Sequence, residues 1–155
     1  MRSDFKKMLD TWVNSFSFKD SFTPLHYASY RGNTEMCQAL LDIGADITAR
    51  NLYGLNVVHL AAQGDQPATL YFFHKIMKMN INALDQRGST PLHWACFSCS
   101  ELALIYILAW ITPQDLCIQD VDGYTALHLS IKSSEQLTNC RPTRALLYRG
   151  ANKEI

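Results

Sequence analysis

The chain repeats itself at a nearly constant interval, and this limits the folds open to it more than any other feature. Four segments of one pattern follow each other along the chain: TPLHYAS, NVVHLAA, TPLHWAC and TALHLSI. Each carries a histidine at its fourth position, and the intervals between histidines are 33, 34 and 35 residues. A regular period of this length is typical of stacked units, none of which can bury its apolar face alone. The chain is therefore predicted to be an array of about four structural repeats.

The start of each segment has the features of a helix N-terminus. Thr23 and Thr90 are suited to cap a helix, and the prolines after them, Pro24 and Pro91, suit its first turn, where a missing N–H is no loss. The second segment departs from this pattern, because it begins with Asn56 and has no proline. Downstream residues keep helical spacing, and in the first unit the predicted buried stripe is Met36, Ala39, Leu40 and Ile43.

Glycines precede three of the segments at one fixed position. Gly54, Gly88 and Gly123 each lie two residues before the segment begins, as the tip of a tight hairpin requires. The first unit has Ser21 at this place. We expect this unit, the second segment and the loop around Leu137 to Arg141 to be less regular than the rest.

These residues resemble the ankyrin repeat, whose signature is a T-P-L-H-x-A block with a period near 33 residues. The resemblance covers residues 18–155. It implies an all-α solenoid in which each unit is a β-hairpin finger followed by two antiparallel helices. It also implies that the motif residues hydrogen-bond within their turn and to neighbouring units. Those structural residues are Thr23, Pro24, His26, His59, Thr90, Pro91, His93, Thr125 and His128.

The resemblance divides the chain into units. Residues 18–50, 51–84, 85–119 and 120–155 form repeats one to four, and residues 1–17 form an N-terminal helix, a cap or a partial repeat. A stacked array normally ends in polar capping units. Neither end has the sequence of a regular polar capping unit, so the chain is expected to be a fragment of a longer protein.

Charge and hydropathy argue against several classes of function. Lysine plus arginine is 14 and aspartate plus glutamate is 14, so no nucleic-acid partner and no polybasic membrane anchor are predicted. The longest apolar run, Leu102 to Ile111, is half of the ~20 residues that a spanning helix needs, so direct membrane insertion is not expected. The number of cysteines is odd and their spacing is irregular, which indicates reduced thiols and a cytoplasmic location. The five are Cys37, Cys96, Cys99, Cys117 and Cys140.

The stretch STPLHWACFSCSEL offers the strongest alternative to a purely structural interpretation. His93, Cys96 and Cys99 recur every three residues, as in a metal site or a reactive thiol pair. On a helix the outer two lie ~9 Å apart along the axis, too far for one tetrahedral zinc. A Cys-x-x-Cys redox pair needs a strand-to-helix context that is lacking here. No catalytic residue, no metal site and no cofactor are predicted, so the chain is not expected to be an enzyme.

A partner surface is the favoured function. In ankyrin arrays the partner usually lies against the fingertips and the first helices, and the resemblance places five aromatics there as a row along the concave side. The alternative is that Phe22 and Tyr124 only pack finger against finger. Trp94 and Trp110 are predicted to be core residues. The predicted partner-binding residues are Phe22, Tyr30, Arg31, Tyr53, Arg87, Phe97, Asp122, Tyr124 and Lys132.

A second, looser resemblance concerns the runs LNVVHLAAQGDQPATL, STPLHWACFSCSELALIYILAW and DGYTALHLSIKS. These are similar to the ankyrin region of DHHC-type protein S-palmitoyltransferases, in which the repeats lie on the cytosolic side and recruit substrates. It implies an alternative function, the substrate-recruiting region of such a membrane enzyme without its catalytic domain. The chain has no Asp-His-His-Cys sequence, so no thiol here is assigned an acyl-carrying role.

Overall fold

A computed structural model describes residues 2–137 and 141–150, and within them it is helical with no β-strand. Most of the predicted fourth-unit loop around Leu137 to Arg141 lies outside these residues, and so does Cys140. The helices are α1 (Arg2–Val13), α2 (Pro24–Arg31), α3 (Thr34–Asp42), α4 (Val57–Gln63), α5 (Pro67–Tyr71), α6 (Pro91–Phe97), α7 (Glu101–Leu108), α8 (Ala126–Leu137) and α9 (Arg141–Tyr148). A π-helix, Phe72–Ile76, continues α5, and a 3₁₀-helix, Pro113–Cys117, follows α7.

The helices form two rows. The first helix of each unit packs on the first helix of the next, so α2, α4, α6 and α8 make an inner row. The second helices, α3, α5, α7 and α9, pack behind them as an outer row. The predicted all-helical repeat stack is confirmed.

Turns between the units form the fingers and are held by single backbone hydrogen bonds instead of strand ladders. In the third finger the Asp85 N–H donates to the Ser89 carbonyl at 3.0 Å, which closes the turn, and the Gln86 N–H donates to the Tyr53 carbonyl of the finger before it at 3.2 Å. Equivalent links run from Leu52 N–H to Asp20 and from Val121 N–H to Arg87, at 3.1 and 2.8 Å. Adjacent fingers are therefore tied edge to edge along the stack.

The fixed finger position has the backbone that the glycines indicate. Gly54 has φ +78°, and a Cβ there would lie 2.6 Å from the Gln86 amide nitrogen of the next finger. Ser21, at the same place in the first unit, also adopts a left-handed φ of 55°. The turn is thus kept even where a side chain makes it unfavourable.

Two predictions about burial are wrong. In α3 the fully buried residue is Cys37, whereas Met36 and Ile43 are 49% and 46% exposed, because α3 packs chiefly on α2 and the residue facing α2 is one step from the predicted stripe. Trp94 is only half-buried and Trp110 is 49% exposed. Neither tryptophan is therefore a core residue.

Candidate functional site

Each motif histidine is held in one orientation by the residue that starts its segment. The Thr23 and Thr90 backbone N–H groups donate to Nδ1 of His26 and His93 at 3.0 and 3.2 Å. An amide N–H can only donate, so Nδ1 must be the acceptor and the ring proton is on Nε2. The same bond joins Asn56 to His59 and Thr125 to His128.

The free edge of the ring connects one unit to the next. Nε2 of His59 lies 3.2 Å from the Ser89 carbonyl oxygen, and Nε2 of His93 lies 3.2 Å from that of Tyr124. Both carbonyls belong to the residue just before the next segment. At His26 the corresponding carbonyl is that of Leu55, which opposes the larger lowering of the ring's pKa by burial, although Nε2 makes no hydrogen bond of normal geometry there.

Burial keeps these rings neutral. Desolvation is the largest influence on His26, His59 and His93, and it lowers the pKa of each. For His59, which is 0% exposed, it lowers the pKa to about 4, against the opposing effects of the Ser89 carbonyl and of Asp85. His59 and His93 are neutral imidazoles with both nitrogens engaged, so they link adjacent units and are not available as general bases.

The cysteines beside His93 lie in two different environments. Cys96 is fully buried, and burial raises the pKa of its thiol far above the ordinary range. Cys99 follows the end of α6, has a left-handed φ of 53°, and directs its Sγ to the Ser133 hydroxyl at 3.5 Å. Among the described residues no group of three His, Cys, Asp or Glu side chains is placed to hold a metal.

A first apolar groove opens between units one and two on the side of the inner helices. Phe22, Tyr27 and Tyr30 form one wall and Leu60 and Gln63 the other, enclosing about 250 Å³. The Phe22 and Tyr27 ring centroids lie 5.5 Å apart. Tyr27 and Tyr30 are 54% and 43% exposed, so the groove is open to solvent and ready to receive an apolar side chain.

A second groove repeats this arrangement two units further along. It encloses about 150 Å³ and is lined by Trp94, Phe97 and Leu129, with Arg87 at its rim. The Trp94 and Phe97 rings meet edge to face at 5.9 Å, and the Trp94 indole N–H donates to the Asp85 carboxylate at 2.9 Å. Phe97 is 50% exposed. The indole is thus locked in place while its neighbour presents an apolar face.

Both grooves use one repeat position that sequence reasoning missed. Tyr27 and Trp94 directly follow the motif histidine, and Leu60 and Leu129 hold the same place in the alternate units. Tyr27 and Trp94 face a groove at this position, whereas Leu60 is buried and Leu129 packs partly against the core. The sequence signal that could have identified this position is its alternation between an aromatic residue and leucine from one unit to the next.

Of the remaining predicted residues, Arg87 lies at the rim of the second groove, and four others line neither groove: Tyr53, Asp122, Tyr124 and Lys132. Tyr53 is 51% exposed and its hydroxyl donates to Asp20 at 3.3 Å. Arg87 and Asp122 form an exposed ion pair between the third and fourth fingers. The Lys132 ammonium group lies over the Tyr124 ring, 5.5 Å from its centroid, in a cation–π contact. The five predicted aromatics are therefore divided between the two grooves and the fingertips.

Arg31 lies in a different, polar depression. This depression has a volume of about 440 Å³ and lies at the ends of the inner helices. Its lining includes Arg31, Tyr30, Gln63 and residues Ser98 to Ser100. This depression adjoins the first groove through Tyr30. Arginine there places a cation beside the apolar wall.

No helix in the described part of the chain combines the length and apolarity needed to cross a membrane.

Comparisons with known proteins point to one family. The Ankyrin repeat model matches residues 20–52, and the model Ankyrin repeats (3 copies) matches residues 58–155. Similar curated proteins include "Target of rapamycin complex 2 subunit AVO2" of Saccharomyces cerevisiae, 28% identical over 122 residues, which are 77% of this chain and 28% of that protein. "SH3 and multiple ankyrin repeat domains protein 2" of Homo sapiens is 30% identical over 142 residues, 90% of this chain and 7% of that protein. "Palmitoyltransferase AKR1" of Lachancea kluyveri is 30% identical over 122 residues, 77% of this chain and 16% of that protein. The chain thus spans less than a third of the length of each.

Proposed function

Because the chain belongs to the ankyrin-repeat family, a family of protein-interaction modules, we propose that it is a cytoplasmic scaffold or adaptor. It binds a protein or an extended peptide on the concave face made by its fingers and inner helices. The contacts fall on Phe22, Tyr27 and Tyr30 in the first groove, and on Arg87, Trp94 and Phe97 in the second.

The observation that carries this proposal is the pair of solvent-open aromatic grooves. Aromatic side chains supply most of the binding energy at protein interfaces, especially when they sit in pockets that exclude water. Here the walls are fixed before binding, since Trp94 is bonded to Asp85 and the histidine links hold the units in register. A prearranged face loses little conformational entropy on binding.

Charges around the grooves would select among partners. Arg87 and Asp122 are paired in the free protein, but both are exposed and the pair is worth little in water. Arg31 and Lys132 are exposed cations next to the first groove and to Tyr124. Exposed charges at the rim of an interface set orientation and association rate more than affinity.

The test is selection of peptides from a random displayed library on the purified chain, followed by affinity measurement on two variants. Tyr27→Ala and Phe97→Ala are expected to weaken binding of selected peptides by about tenfold or more, as for central interface aromatics. The matched controls, Tyr71→Ala and Trp110→Ala on the outer helices, remove aromatics of similar exposure. If the controls weaken peptide binding and the groove variants do not, the proposed face is wrong.

A second candidate function has one specific support, the similarity to Palmitoyltransferase AKR1. In this alternative the chain is the cytosolic, N-terminal substrate-recruiting region of a membrane-bound DHHC-type protein S-palmitoyltransferase, and the concave face holds the protein to be acylated. Sequencing the transcript on both sides of the 155 codons tests it. An open reading frame that contains no Asp-His-His-Cys segment and no hydrophobic spans refutes it.

A further inference from the structure

A separate apolar surface lies on the outer row of helices. Helix α7 buries Ala103, Leu104 and Ile107 against the stack, yet Leu102 and Ile105 on its other side are 56% and 63% exposed. A helix that packs on one face needs a single apolar stripe. The second stripe of α7 is therefore not required by the fold.

Aromatic residues extend this stripe across to the neighbouring unit. Trp110 and Tyr106 of unit three contact the His74 ring, whose Nδ1 is 3.0 Å from the Tyr106 hydroxyl. Tyr71 is 51% exposed. The pKa of Tyr106 is raised by burial and also by Tyr71, so the two tyrosines are close to each other. We call Tyr71, Leu102, Ile105, Tyr106 and Trp110 the outer patch.

The π-helix shapes one edge of the outer patch. The Met77 N–H donates to the Phe72 carbonyl at 3.0 Å, the i→i+5 bond of a π-turn. In this turn Lys75 places its Nζ 3.2 Å from the centre of the Trp110 ring. Single π-turns within α-helices are frequent at functional sites.

Positive charge surrounds the outer patch although the whole chain is neutral. The pKa of His74 is lowered by burial and then by Lys75 and Lys78, two cations on the same side. On the other side is Arg149, whose guanidinium donates to the Leu108 carbonyl at the end of α7.

Carboxylates close to the outer patch are engaged. Glu101 is paired with Arg141 at 3.0 Å, and Asp115, in the 3₁₀-helix after α7, accepts the N–H and hydroxyl of Thr112 at 2.7 and 2.9 Å. Burial raises the pKa of Asp115, but its hydrogen bonds with Thr112 lower it overall, so this carboxylate keeps its negative charge. Among the described residues at the edges of the patch, Lys75, Lys78 and Arg149 outnumber it. The face thus combines apolar and aromatic side chains with an excess of cations, and it is complementary to an anionic surface.

We propose that the outer patch adsorbs the protein reversibly to a lipid bilayer surface that carries anionic headgroups. Tryptophan and tyrosine favour the depth of the headgroups, isoleucine and leucine enter the acyl boundary, and the cations contact the headgroups. A second copy of the chain fits less well, because a symmetric contact would bring the two sets of lysines and arginines together. The surface lies on the side opposite to the proposed partner face and needs no spanning helix.

The test is flotation of the purified chain with vesicles of phosphatidylcholine alone and of phosphatidylcholine mixed with phosphatidylserine. The chain is expected to float with the mixed vesicles only, and less so as salt rises. Lys75→Gln and Lys78→Gln are each expected to lower the partition coefficient about fivefold, and Leu102→Ser combined with Ile105→Ser by more than about tenfold.

A matched control is available on the fingers. Leu52 and Val121 are 56% and 66% exposed, so Leu52→Ser combined with Val121→Ser removes a similar apolar area elsewhere and should leave flotation unchanged. Equal flotation of the outer-patch variant and the control overturns the proposal. The proposal is also overturned if the wild type fails to float and light scattering shows that it forms a dimer which Ile105→Ser abolishes. Circular dichroism establishes that each variant is folded.

Discussion

Acid should destabilise the stack through its buried histidines, and His59 allows the effect to be worked out. Its pKa is about 4 in the folded chain, against 6.5 as the ordinary value. Below pH 6.5 the unfolded chain takes up a proton that the folded chain refuses until about pH 4. Stability is therefore retained above pH 6.5 and lost progressively as the pH falls from 6.5 to 4.

Between pH 7 and pH 5 this one residue is expected to reduce the free energy of unfolding by about 2 kcal/mol. His26 and His93 act in the same direction, because burial lowers the pKa of both. Such a loss is a large fraction of the ~5–15 kcal/mol that holds a domain folded. The neutral rings join adjacent units, so the loss concerns the stack itself.

The assay is urea unfolding of the wild type and of His59→Gln at pH 7 and pH 5. The variant should be less stable at pH 7, yet its loss between the two pH values should be smaller than that of the wild type by about 2 kcal/mol. His74→Gln is the control, since His74 lies on the outer row and is only half-buried; it should keep most of the wild-type loss.

Direct measurement of the ring decides the matter even if His59→Gln fails to fold. In a proton NMR titration of the wild type, the His59 resonance is expected to stay unchanged down to about pH 5. Titration of His59 near 6.5 in the folded protein would refute the reasoning, as would equal pH dependence in the wild type and His59→Gln.

Two further outcomes follow from the fingers and the thiols. Gly54→Ala should cost about 2 kcal/mol or more, since a Cβ at Gly54 meets the Gln86 backbone at 2.6 Å, whereas at Gly123 nothing lies within 4 Å. Gly123→Ala should cost about 1 kcal/mol from its left-handed φ alone, and thermal or urea unfolding of the two variants compares them; equal losses would contradict the contact. Iodoacetamide should modify exposed Cys117 rapidly and Cys96 only after unfolding, as peptide mass spectrometry reports for each cysteine. Rapid labelling of Cys96 in the native chain would show that it is not buried.

Local features of the chain could be predicted from sequence because they depend on neighbouring residues. The TPLH segments, the glycines two residues before them and the proline after Thr23 and Thr90 each specify a turn or a helix start through short contacts. Even the departure at Ser21 left the turn intact, with a left-handed φ. The all-helical stack was implied by the resemblance to the ankyrin repeat, which rests on these features and the period.

The candidate site was harder to predict because its walls come from different units. Phe97 was placed on the concave side by resemblance, but Trp94, which lines the same groove, was assigned to the core. Trp94 is half-buried at the position where Leu60 is buried, so the repeat position alone does not specify burial. Tyr53 was grouped with the other aromatics, yet it lies at a fingertip bonded to Asp20.

The sequence by itself determined the period, the number of units, the helix starts and the left-handed turns, since each is set by steric and hydrogen-bonding rules within a few residues. Only the tertiary structure decided which apolar side chains are covered. Trp110 and Lys75 are 35 positions apart and meet because the π-helix of one unit packs against α7 of the next. Burial is a property of neighbours supplied by other units, and a repeat pattern specifies the repeat without specifying what lies beside it.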